Sequence, residues 1–162
     1  MRIMCFHLMP YMALDLTKVP DNECLWVTFP NSHYDPEEGS KLYERYLDEL
    51  EFAANCGFHA IGVNEHHQTA TCVDPAVPII MGILARETKT ARLLILGNPI
   101  ANRNQPVRVA EEMAMIDVIS RGRLELGFVR GVPYEISAGN SSPALMQERF
   151  WEAHDLIMKA MT

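Results

Sequence analysis

Four short apolar runs alternate with segments of helical periodicity, and no other feature constrains the fold of this chain so much. Arg2–Leu8, Ala60–Val63, Arg92–Leu96 and Leu124–Val129 read as strands one to four. Leu93, Leu94, Ile95 and Leu96 are apolar in succession, which suits a parallel strand covered on both faces. From Lys41 onward, Tyr43, Tyr46, Leu47, Leu50 and Ala54 recur at helical spacing, and Gly57 follows as a stop signal. Ser40 is the expected cap of this helix. Ala76–Glu87 reads as a helix opened by Asp74-Pro75, and Pro106–Ile119 as one opened by its proline. Met146, Phe150, Ala153 and Ile157 define a terminal helix.

Connections of this length can make right-handed parallel βαβ units. Four such units give an α/β protein, either a small doubly wound sheet or half of an eightfold barrel, and periodicity alone fits both. No GxGxxG follows the first strand, which weakens a dinucleotide-binding reading. Pro10–Gly39 reads as a long irregular excursion, either a functional loop or a small subdomain.

Composition narrows the function class. With 162 residues, 48% apolar and 22% charged, the chain has the make-up of a globular domain with a real core. A formal charge of -7 without an offsetting Lys/Arg block argues against nucleic acid as a partner. No signal peptide and no membrane-spanning run is expected. Cys5, Cys24, Cys56 and Cys72 are scattered without a CxxC, so they are read as free thiols in a reducing, cytoplasmic compartment. The ten methionines read as core fillers.

Polar residues cluster where strands end: Asn64-Glu65-His66-His67 after the second, Gly97-Asn98 after the third, Arg130-Gly131 after the fourth. In a parallel α/β fold these positions converge at the carboxyl edge, where ligands bind. Adjacent histidines in an extended segment point apart, so His66 and His67 are not expected to share a metal ion. At least one of them is expected to contact a ligand, with Glu65 in structural hydrogen bonding or fixing a tautomer. Arg130 reads equally as an anion contact or a surface salt bridge, and Gly131 would admit a close backbone approach. His7, after the first strand, is expected to point toward the same site. His59 and His154 read as structural or surface residues. Arg121-Gly122-Arg123 lies at the opposite end, where a turn serves stability.

With these residues assembled, the chain resembles the luciferase-like flavin-dependent monooxygenases. The segments that carry the resemblance are CGFHAIGVNEHH at Cys56–His67, QPVRVAEEMAMIDVISRGRLELGFVRG at Gln105–Gly131, and ERFWEAHDLI at Glu148–Ile157. It implies a (β/α)8 TIM barrel roughly twice this long, of which the chain is expected to be the N-terminal half. It further implies reduced FMN at the carboxyl mouth, reaction with O2, and oxygenation of a small organic substrate by a flavin C4a-peroxide. His66 falls on the family's active-site histidine, flanked by Glu65 and His67 as supporting residues. Arg130 matches the arginine near the flavin phosphate, and Val129 stands where bacterial luciferase has a cysteine near the flavin ring. Gly97-Asn98 matches the place of a non-proline cis peptide beside the flavin.

Three readings of activity stay open: a flavin monooxygenase once the barrel is completed, a non-catalytic fragment or flavin-binding accessory, and a relative using the deazaflavin F420. A homo-oligomer, or a complementary C-terminal half, is the expected partner, since a half-barrel exposes two strand edges and part of its interior.

Overall fold

The computed structural model describes residues 1–19, 24–26 and 29–162. Within them, β1 (Met4–His7), β2 (Ala60–Val63), β3 (Arg92–Pro99) and β4 (Leu124–Val129) form one parallel sheet in the order β1-β2-β3-β4. Each strand lies beside the next in sequence. A doubly wound sheet reverses its strand order at a switch point, and this sheet has no reversal. The sequential order, with the helices on one face, is that of half an eightfold barrel, and it closes the choice that periodicity left open.

The major helices are α1 (Pro36–Asn55), α2 (Val77–Glu87), α3 (Pro106–Ser120) and α5 (Met146–Ala160), with a short α4 (Pro133–Ala138) before the last. Strand residues facing them are sealed: Ile61, Val63, Leu93 and Ile95 are fully buried. They pack with Leu50 of α1, Met81 and Leu84 of α2, Met113 of α3 and Ile157 of α5 in one continuous core. At about 25 cal/mol per Å² of apolar surface buried, such side chains contribute about 1.5–3 kcal/mol each, which makes this layer the main source of stability.

The other face of the sheet is bare. Met4, Phe6 and Leu96 are 51%, 40% and 49% exposed, although the register sets them among strand residues. In a closed barrel these positions fill the interior. At the lower end of this face Arg92 pairs with Glu125 and donates to the carbonyl oxygens of Gly122 and Leu124.

Several boundaries differ from the sequence expectation. Helix α1 starts at Pro36, inside the stretch read as irregular, and its cap is Asp35 rather than Ser40. The Asp35 carboxylate accepts from the N–H groups of Glu37 (2.8 Å) and Glu38 (3.4 Å), and proline follows where a missing N–H costs nothing. Helix α2 starts at Val77 with Ala76 as cap. Asp74 acts one step earlier, accepting from the Ala76 N–H at 3.1 Å. The rest of the Pro10–Gly39 excursion contains two single-turn helices, Leu16–Lys18 and Asn31–His33, while residues 20–23 and 27–28 lie outside the described residues. No described helix is long and apolar enough to cross a membrane.

Candidate functional site

Beyond the carboxyl ends of β2, β3 and β4, the chain encloses a cleft of about 600 Å³. Glu65 and His66 enter it from the segment after β2, Leu96 and Gly97 from β3, and Val129, Arg130 and Gly131 from the end of β4. Phe150 and Trp151 of α5 add an aromatic side. Most of the residues singled out from the sequence therefore meet in one place.

The histidine pair is held by carboxylates. Glu135 of α4, buried among apolar neighbours, places Oε1 2.9 Å from His66 Nδ1 and accepts from the His67 backbone N–H at 3.2 Å. Glu65, also buried, lies 3.0 Å from His67 Nε2 through Oε1. It accepts from Arg103 at 2.5 Å and, through Oε2, from the Val77 N–H at 3.1 Å. His66 and His67 thus point to different carboxylates, as neighbours in an extended segment must. The ring of Trp26 stands edge-on to His66, with centroids 5.2 Å apart.

Behind the pair lies Asp74. Its carbonyl accepts from the His66 N–H at 3.1 Å, while its carboxyl oxygen Oδ2 is buried without a hydrogen-bond partner among the described residues. Burial pushes the Asp74 carboxyl up to about 7, assisted by the nearby Glu65 charge and opposed by the Ala76 N–H. Burial likewise pushes the Cys72 thiol up to about 12, so it is a packed sulfur with no thiolate character at neutral pH.

Gly97 forms the corner between β3 and β4. A Cβ there would meet Val129 Cγ1 at 2.8 Å and the Gly127 carbonyl oxygen at 2.9 Å, so glycine is what lets β3 pack this closely against the end of β4. The cis peptide bond is Leu96–Gly97, one step before the expected Gly97–Asn98. It coincides with the register shift between Leu96 and Asn98, where β3 advances one residue against β4. Asn98 itself is fully buried opposite Phe128, and neither side-chain polar atom has a hydrogen-bond partner among the described residues. It stands apart from the cleft lining. Arg130 is exposed at the rim and donates to Gln147 Oε1 of α5 at 3.1 Å, so its contact is a neutral amide.

His7 does not join this group. The pleat that turns Met4 and Phe6 to the open face turns Cys5 and His7 to the helices, and His7 Nε2 lies 3.0 Å from Glu49 of α1. Its Nδ1 accepts from the Met9 N–H at 2.9 Å. Two further participants were not anticipated, Glu135 and Arg103. A Pro-x-Glu at 133–135 is a recognisable first helical turn, but nothing local announces that its glutamate meets a histidine 69 positions earlier.

The described residues contain no cluster of three metal-ligating side chains. They do fit a flavin. Leu96, Gly97 and Val129 offer an apolar wall with a corner kept free of side chain, and Arg130 supplies a cation at the rim.

Comparison with known proteins agrees with the architecture. The chain is 33% identical over 131 residues to the uncharacterized protein y4wF of Sinorhizobium fredii, covering 77% of this chain and 37% of that protein. It is 35% identical over 97 residues to the oxygenase component of the flavin-dependent trigonelline monooxygenase of Acinetobacter baylyi, covering 60% and 27%. The alkanal monooxygenase beta chain of Vibrio harveyi is 31% identical over 103 residues, covering 64% and 31%. The chain therefore spans about a third of the length of these curated relatives. Among solved structures, the oxygenating constituent of 3,6-diketocamphane monooxygenase from Pseudomonas putida, in complex with FMN, superposes with TM-score 0.74 at 15% identity, covering 97% of this chain and 38% of that one. Monooxygenase RslO1 from Streptomyces bottropensis gives 0.73 at 24% identity, covering 97% and 42%. The family model described as luciferase-like monooxygenase matches residues 23–162, and the chain belongs to that family.

Proposed function

We propose that this chain forms the proton-transfer side of a reduced-FMN monooxygenase acting on a small organic substrate with O2, in a barrel completed by further polypeptide. The observation that carries this reading is the cleft that a carboxylate-held His66 lines together with Leu96, Gly97 and Val129. Leu96, Gly97 and Val129 would hold the flavin ring, and Arg130 would lie toward its phosphate. Bound reduced flavin supplies the electrons that activate O2, which none of these side chains can do. His66 Nε2, which has no hydrogen-bond partner among the described residues, is the atom that exchanges a proton with substrate or oxygen. Phe150, Trp151 and the apolar strand ends keep water from the reacting groups.

The bare inner face supports dependence on a second half. Phe6 and Leu96 stay half-exposed on a surface that a closed barrel would fill. A second copy of the chain is the further partner proposed. Ile79 of α2 with Met115, Val118 and Ile119 of α3 form an exposed apolar helix surface suited to pairing. The free thiols of Cys5, Cys56 and Cys72 support placement in the cytoplasm.

The test is a comparison in the complete polypeptide. His66→Ala should abolish oxygenation while FMN affinity, followed by flavin fluorescence, changes less than about threefold. Retention of both would remove His66 from this role.

A further inference from the structure

We infer that Glu135 is the positioning residue of His66: it holds the imidazole in the tautomer that leaves Nε2 free to take a proton. The inference rests on the proposed role of His66 in proton transfer and adds the group that prepares it.

The geometry is specific. Glu135 Oε1 lies 2.9 Å from His66 Nδ1, and the carboxylate side chain is 2% exposed. The same oxygen accepts from the His67 backbone N–H at 3.2 Å. An ionised carboxylate only accepts hydrogen bonds, so the ring nitrogen facing it must carry hydrogen. With the proton on Nδ1, Nε2 carries the lone pair; free histidine in water favours the opposite arrangement. When Nε2 takes a proton, the imidazolium that forms sits beside a negative charge shielded from solvent, where attraction is stronger than in water.

Both partners are fixed in place by other contacts. The His66 N–H donates to the Asp74 carbonyl at 3.1 Å, and the Trp26 ring lies against the imidazole. On the opposite side, α4 is anchored by Ile136, which is fully buried beneath Gly131. A Cβ on Gly131 would meet Ile136 Cδ1 at 3.2 Å and Pro99 Cβ at 3.3 Å, so the close turn that brings α4 over the cleft needs this glycine. The positioning thus runs from the end of β4, through α4, to a side chain that entered after β2.

A merely structural Glu135 would act by tying down the loop through the His67 N–H. Glutamine separates the charge from the acceptor, since its carbonyl oxygen can accept the same bonds while the charge is lost, and the tautomer readout separates positioning from a merely structural tie. Leucine removes both charge and acceptor. The readout independent of turnover is the long-range 15N–1H spectrum of the histidine rings in the complete polypeptide, with His66 assigned from a His66→Gln spectrum. Wild type should show hydrogen on Nδ1, Glu135→Gln should keep it, and Glu135→Leu should move a substantial fraction to Nε2. In steady-state oxygenation, Glu135→Leu should lower kcat at least about 10-fold with substrate KM changed less than about threefold. Glu135→Gln should fall between the two.

An unchanged tautomer in Glu135→Leu overturns the inference, and so does full wild-type kcat in Glu135→Leu. If His66→Ala instead retains turnover, the role proposed for His66 fails while the tautomer spectrum still decides what Glu135 does.

Discussion

At the amino ends of the strands, Arg123 holds its half-buried guanidinium against neutral oxygens. It donates to the carbonyls of Ser120 (2.8 Å), Ala91 (2.8 Å), Ala85 (2.9 Å) and Thr88 (3.0 Å), and to the Thr88 hydroxyl at 2.9 Å. At the carboxyl ends, Glu65, Asp74 and Glu135 are buried beside His66, His67 and Arg103. Both ends hold charged side chains away from solvent, but only the upper one contains a buried carboxyl, Asp74, raised to about 7. The lower cation closes the last turns of α2 and α3, whose carbonyls lack helical partners and carry partial negative charge. The upper cluster leaves an imidazole edge open to a cleft. A charge held by backbone serves the fold, whereas a carboxylate-held histidine lining a cleft can serve chemistry.

The largest effect should come from the upper end. His66→Ala in the complete barrel is expected to lower kcat for oxygenation by about 10²- to 10⁴-fold, with the urea midpoint of unfolding nearly unchanged. Equal losses of rate and stability would erase the division between the two ends.

Arg123→Met should do the reverse. Four backbone carbonyls lose their donor at once, for a destabilisation of about 3–5 kcal/mol by urea denaturation. Folded variant protein should retain its flavin affinity.

Asp74 sharpens the contrast by its pH dependence. Its folded carboxyl is raised from 3.8 to about 7 by burial, so between those values the folded state binds more protons than the unfolded. Stability then falls as pH rises through this window and levels off above it. Asp74→Asn, which keeps an acceptor for the Ala76 N–H, should be more stable than wild type at pH 8 by on the order of a few kcal/mol, with the gain vanishing near pH 4. A gain of equal size at both pH values would deny the charge any part.

Gly97→Ala is expected to cost about 1–3 kcal/mol and to weaken FMN binding, because the added methyl has backbone rather than a flexible side chain in its way. The smallest effect belongs to His7→Gln. Loss of the Glu49 and Met9 contacts should cost about 1 kcal/mol or less, with kcat unaltered. A large kcat loss there would bring His7 back into the site.

Much of the fold was legible because its signals are local. Apolar runs marked β2 and β4 to the residue and the start of β3, which continues three residues past the expected Leu96, and helical spacing marked the larger helices. The cluster at strand ends followed from a general property of parallel sheets, which is why Glu65, His66, Gly97, Arg130 and Gly131 could be grouped from the sequence, whereas Val129 entered only through the family resemblance. His7 shows the limit of that inference. Position at a strand end sets depth along the sheet, but the pleat sets the face, and a four-residue strand is too short for its pattern to declare it.

By itself, then, the sequence determined the alternation of parallel strands and helices and the polar strand ends, since both are written in neighbouring residues. Only the tertiary structure decided that the strands follow one another without reversal. It alone brought Glu135 to His66, Arg103 to Glu65, and the corner at Gly97 against Val129. Those pairings span from 32 to 69 positions. They depend on how successive βα units turn and pack, a property of the assembled chain that no local periodicity carries.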